Sequence, residues 1–81
     1  MKLYLLSQDE NTDCDTYDSC IVCAESEEDA KSITPCDEVF VEIQKKYPNW
    51  AYSKTSIVCE EIGEANKNQK RGVILASFNA C

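Results

Sequence analysis

The chain has 81 residues, a net charge of −7, 43% hydrophobic and 28% charged residues, six cysteines, one tryptophan and no histidine. That length allows one domain with a thin core, burying about 60–65% of the surface its unfolded form exposes, and the composition is that of a folded protein. The acidic balance excludes nucleic acid and anionic lipid as natural partners, because both are held mainly by Lys and Arg.

Residues 2–6 read as a first strand, with Leu3 and Leu5 on one face and Tyr4 and Leu6 on the other. The apolar stretch stops at Leu6 and acids follow, so the N-terminus does not read as a signal peptide. No run approaches the ~20 apolar residues of a membrane span. Residues 8–16 are polar and acidic and read as a solvated loop. Residues 17–24 form a second strand around Cys20-Ile21-Val22-Cys23, apolar on both faces and therefore buried.

Ser26 is a good N-cap, Asp29 follows three residues later in a near capping box, and Glu27, Glu28 and Asp29 favour the positive end of a helix dipole. The helix from Ser26 would turn Ala30 and Ile33 toward the sheet. Pro35 either ends it or starts another. Over residues 36–48 the pattern fits two periods: Val39, Phe40, Ile43 and Tyr47 make a helical stripe, whereas Val39, Val41 and Ile43 alternate as in a strand. Lys45, Lys46 and the following Pro48 lean toward a helix. Residues 49–54 form a loop with Trp50 and Tyr52, residues 55–62 a third strand, residues 63–71 a polar connection and residues 72–78 a strongly apolar fourth strand. The order β-β-α-(α)-β-β predicts a single α+β domain over residues 1–81: a four-stranded, mostly antiparallel sheet with one or two helices on one face.

Cys20 and Cys23 form a Cys-x-x-Cys pair, which can begin a zinc site or a redox couple. Zinc needs four ligands, usually from two such pairs or a histidine pair, and Cys36, Cys59 and Cys81 stand alone. On a strand, residues three apart point to opposite faces, so the two sulfurs diverge. The cysteines read as small buried hydrophobes, ahead of zinc or redox roles, and with no export signal they are expected to be thiols. Asp13, Asp15 and Asp18 evoke a calcium loop, but counting from Asp13 the fifth, sixth and twelfth positions hold Tyr17, Asp18 and Ala24, which breaks the pattern. No metal or cofactor is expected. Without histidine, nucleophile elbow, phosphate loop or dinucleotide fingerprint, the chain does not read as an enzyme.

Two groups suit binding. Tyr17-Asp18-Ser19 places an aromatic plane beside hydrogen-bonding groups. Lys67, Lys70 and Arg71 form the densest basic cluster, where Arg71 is able to grip two phosphate oxygens. The competing readings are a solvated turn for the basic cluster and a packing role for Trp50.

Tyr17-Asp18-Ser19-Cys20-Ile21-Val22, the run Ala24-Glu25-Ser26-Glu27-Glu28-Asp29-Ala30, Ile33, Pro35, the lone Trp50, Gly63-Glu64-Ala65 and the ending from Gly72 to Ala80 together resemble a family of small proteins of tailed bacteriophages. Cys14, Cys20 and Cys81 depart from that family's pattern, where Tyr, Ala and Gly stand, which favours a structural reading of the cysteines. Residues 36–48 match nothing in it. The resemblance implies a protein of the host bacterial cytosol directed against host defence. Two mechanisms follow: a homo-oligomer that sequesters a nucleotide-derived immune signal, or an inhibitor that binds a host defence protein through its acidic surface; the third reading is a phage accessory protein with no small-molecule ligand. In the first, Tyr17 and Trp50 stack on the base, Asp18 and Asn79 contact ribose or base edges, and Lys70 and Arg71 hold phosphate. A thin core also favours covering apolar strand surface across a two-fold axis.

Overall fold

A computed structural model describes residues 1–37, 40 and 49–80. Four strands, β1 (Lys2–Ser7), β2 (Thr16–Ala24), β3 (Val58–Glu64) and β4 (Gly72–Asn79), form an antiparallel sheet in the order β3-β1-β2-β4. One helix, α1 (Glu27–Lys31), and a 3₁₀ turn (Lys54–Ser56) are the helical elements among the described residues. The second helix expected over residues 36–48 lies largely outside them.

Alternation along β1 decides which face is covered. Tyr4 and Leu6 are buried, as are Cys20 and Val22 opposite them, and these side chains meet Ala24, Ala30, Ile33, Phe40, Trp50, Ala51 and Ile57 in the core. α1 lies against β1, β2 and β3 on that side. The helix starts where the sequence predicts: Ser26 Oγ accepts from the Asp29 N–H at 3.1 Å, and Asp29 Oδ2 accepts from the Glu25 N–H at 3.0 Å. The second contact reaches one residue further back than a capping box does.

Leu5, Ile21 and Leu75 stand opposite one another on the other face. There the exposed apolar side chains include Val58 and Leu75, 64% and 65% exposed. The third strand begins later than residue 55, because residues 54–56 wind into the 3₁₀ turn. There Ser56 Oγ and the Tyr52 N–H both donate to Glu10 Oε1, at 2.7 and 2.8 Å.

The loop between β1 and β2 is better tied down than its polarity predicts. Gln8 and Asn11 are buried. Gln8 Nε2 donates to the carbonyls of Asn11 and Tyr17, each at 2.8 Å, and its Oε1 accepts from the Asn11 N–H at 2.8 Å. Asn11 Nδ2 donates to the Trp50 carbonyl at 3.1 Å. Buried amides cost stability unless paired, and this network pairs them.

Candidate functional site

The strand order brings Tyr17, Asp18 and Asn79 to one end of the sheet. Thr16 pairs with Asn79 and Tyr17 with Phe78, and the ladder slips at Asp18, a bulge that leaves this carboxylate exposed. The Tyr17 and Phe78 rings meet edge to face, centroids 4.8 Å apart, a favoured aromatic geometry. Phe78 remains 47% exposed, so the cluster carries a second aromatic ring that the sequence reading treated only as strand. Burial pushes the Tyr17 phenol up, with Cys36 beside it adding to the shift. The adjoining loop is held by the Asp15 N–H, which donates to the Asn79 carbonyl at 2.8 Å, and by Thr16 Oγ1, which donates to the Asp13 carbonyl at 2.6 Å. Asp15 has φ of 60°, a left-handed conformation that aspartate tolerates better than most residues.

Lys70 and Arg71 lie at the other end of β4. Gly72, the residue after Arg71, pairs with Cys23, whereas Asn79 pairs with Thr16. Seven residues of strand separate Gly72 from Asn79, about 23 Å at 3.3 Å per residue. Within one chain the basic pair and the Tyr17 cluster therefore do not converge on one ligand of nucleotide size. Arg71 is also engaged: its Nη2 donates to Asp29 Oδ1 at 2.7 Å and its Nε to Asp29 Oδ2 at 3.0 Å. The guanidinium holds the Asp29 carboxyl below the usual carboxylate range, and Asp29 in turn raises Arg71. A phosphate arriving here meets a carboxylate already seated.

Trp50 requires a correction. It is fully buried, at 0% exposure, so its ring is not available to stack on a base. It fills the core beneath the β1–β2 loop, and among the described residues its Nε1 has no hydrogen-bond acceptor. Its burial fits the packing role that a small domain's lone tryptophan commonly takes.

Cys20 and Cys23 are both buried free thiols. Cys20 belongs to the core cluster, while Cys23 Sγ lies 3.9 Å from Met1 Sδ. Burial pushes the Cys20 thiol up to about 12. Among the described residues no group of three or more His, Cys, Asp or Glu side chains is placed to hold a metal ion. Cys14 departs from the all-thiol expectation, because it is disulfide-bonded. Cys81 lies outside the described residues.

Two shallow concavities accompany these groups. One, of about 300 Å³, lies on the open face, lined by Leu5, Ser19, Ile21, Leu75 and Ser77 with Cys20 and Ala76. The other, of about 310 Å³, is lined by Ser7, Gln8, Asp9 and Val58. None of the six predicted binding residues lines either. Among the described residues no helix is long and apolar enough to cross a membrane. Comparison with protein-family models, with curated proteins and with solved structures gives no match to this chain.

Proposed function

We propose that this chain is a non-catalytic binding protein of phage origin that sequesters a small nucleotide-derived immune signal. The observation that carries the reading is the Tyr17–Phe78 ring pair at one end of β2 and β4, with Asp18 and Asn79 beside it in the strands. Aromatic surface, a carboxylate and an amide are the groups that hold a base and its ribose. The cationic element that a phosphate requires would come from the Lys67–Lys70 turn of a second copy, because within one chain the length of β4 separates that turn from the cluster. The resemblance to small phage proteins gives the biological setting. Calorimetric titration with nucleotide-derived signals tests it: Asp18→Ala and Asn79→Ala should each weaken binding about tenfold, the loss of one hydrogen bond to a charged or polar ligand group. Unchanged affinity in both variants removes the cluster from the site.

A second reading, an inhibitor that binds a host defence protein, is favoured by a different observation. The face opposite α1 exposes Val58 and Leu75, and the β3 edge beside it carries Glu60, Glu61 and Glu64. Apolar surface rimmed by acids suits a partner with a basic rim. Salt-sensitive capture of one host protein, with no small molecule bound, distinguishes it from sequestration.

A further inference from the structure

The two edges of the sheet differ. β3 carries three glutamates in seven residues, and its ladder with β1 slips between Leu3 and Tyr4. Charges and bulges are the devices by which edge strands resist pairing with other chains. β4 has no charged residue in eight, in a chain that is 28% charged. Its first part is protected: Asp37 Oδ1 accepts from the Val73 N–H at 3.2 Å, and the ladder with β2 slips at Ile74. From residue 75 to residue 79 the strand itself carries no charge and no bulge, the slip opposite it belonging to Asp18 of β2, and among the described residues nothing shields it. β4 ends the sheet, nothing among the described residues pairs beyond it, and Leu75 and Phe78 are 65% and 47% exposed.

Charge selects the occupant of this edge. The Lys67–Lys70 turn precedes β4, and the loop bearing Asp13 and Asp15 meets its far end through the Asp15–Asn79 hydrogen bond. With Arg71 answered by Asp29, the strand runs from Lys67 and Lys70, beside which Asp37 stands at Val73, to Asp13 and Asp15 at its other end. A second copy laid antiparallel sets each basic turn toward the other's acidic loop, twice over; a parallel copy would set like charges together. Two β3 edges brought together would oppose six glutamates, three from each copy.

We propose that residues 75–79 of β4 pair antiparallel with the same residues of a second copy, joining two four-stranded sheets about a two-fold axis near Ser77. Among the described residues each chain has a single unprotected edge segment, so the assembly closes at two. The arrangement also turns the Lys67–Lys70 end of one copy toward the Tyr17, Asp18 and Asn79 end of its partner, two groups that a single chain holds apart. The inference goes beyond the ligand reading and stands without it.

Native mass spectrometry and light scattering on the full chain, with no nucleotide present, read the assembly directly. The wild type is expected as a dimer. Ser77→Lys and Ser77→Glu, at an exposed position near the axis, each place like charges across it and should give folded monomers by circular dichroism, as should Leu75→Lys. An equimolar mixture of the two Ser77 variants should recover a heterodimer of summed mass, which a misfolded variant would not. Val58→Lys, on the acidic edge, should remain dimeric. A wild type that stays monomeric at high micromolar concentration, or a dimer that survives both Ser77 substitutions, overturns the proposal. So does a Val58→Lys monomer, which would place the contact on the open face. Nucleotide titration is scored separately, so failure of the ligand reading leaves this result intact.

Discussion

Asp29 joins three parts of the fold: its N–H is capped by Ser26, its carboxylate accepts from the Glu25 N–H, and the same carboxylate holds Arg71 at the entrance to β4. Asp29→Asn keeps the shape and one acceptor oxygen but removes the charge. Hydrogen bonds to charged groups contribute about 1.5–3 kcal/mol when well buried, whereas exposed ion pairs contribute about 0–1 kcal/mol. The side chains here are 46% exposed for Arg71 and 23% for Asp29. The pair sits between those limits, and the expected loss is about 1 kcal/mol, or a Tm lower by roughly 4–8 °C for a domain of this size. Arg71→Gln should cost a similar amount. The double variant should cost less than the sum, leaving a coupling of about 0.5–1 kcal/mol. Urea unfolding followed by the fluorescence of Trp50 measures all four proteins. The linkage has a definite sign. Arg71 holds the folded pKa of Asp29 below its unfolded value, so this stabilisation is present above the unfolded carboxyl pKa of about 3.9 and is lost as pH falls through the folded value. Wild type and Asp29→Asn should therefore converge in acid. Strict additivity of the two single substitutions, or a stability gap that persists in acid, refutes the argument.

Gly72→Ala should destabilise by about 1–3 kcal/mol, because Gly72 has φ of +139° and an added Cβ would lie 2.9 Å from Asp37 Oδ1; in thermal melts, adding Asp37→Ala should recover only the contact and leave the backbone strain. Trp50→Ala should cost about 3–5 kcal/mol in chemical denaturation, whereas Trp50→Phe should cost far less, because it also removes a buried N–H that has no acceptor among the described residues, itself a burden of about 1–3 kcal/mol. A Trp50→Ala variant that stays fully stable would contradict its place in the core. Cys20 should resist iodoacetamide at pH 8 in mass-mapped labelling while exposed Cys36 reacts, and Cys14 should label only after reduction. Since the folded Cys20 thiol is raised to about 12, its stabilisation is full below the unfolded thiol pKa of about 8.5 and is lost as pH rises through the folded value; a Cys20→Ala variant should show a flatter alkaline decline.

The strands were legible because their apolar residues alternate or run continuously, and α1 because Ser26 and the acids after it mark a helix start. β3 was misplaced by three residues: the turn before it is held by Glu10, more than forty positions away, and no local pattern reports such a contact. The same distance in sequence hid the burial of Gln8 and Asn11, whose polarity reads as solvated until Trp50 is placed against them. Site residues fared according to topology. Tyr17 and Asn79 come together because β4 lies beside β2, a strand order that periodicity does not contain. Lys70 and Arg71 were picked for their charge, and that choice carried no information about Asp29, which occupies Arg71, or about the length of β4 that separates them from Tyr17.

β1 lies between two partners that appear at very different times during synthesis. β2 follows it closely, and the two can meet as a hairpin once residue 24 has left the ribosome, but Lys2 pairs also with Glu64. Two-stranded ribbons are at best marginally stable in water, and contacts between residues far apart in sequence slow folding. The nascent hairpin must therefore wait, with Leu6 and Val22 still wet, until residue 64 has been made. β4, which emerges after β3, adds to the side of β2 left bare until then. Synonymous codon changes that slow translation between residues 25 and 57 would lengthen this wait and lower the yield of soluble protein without altering a single side chain.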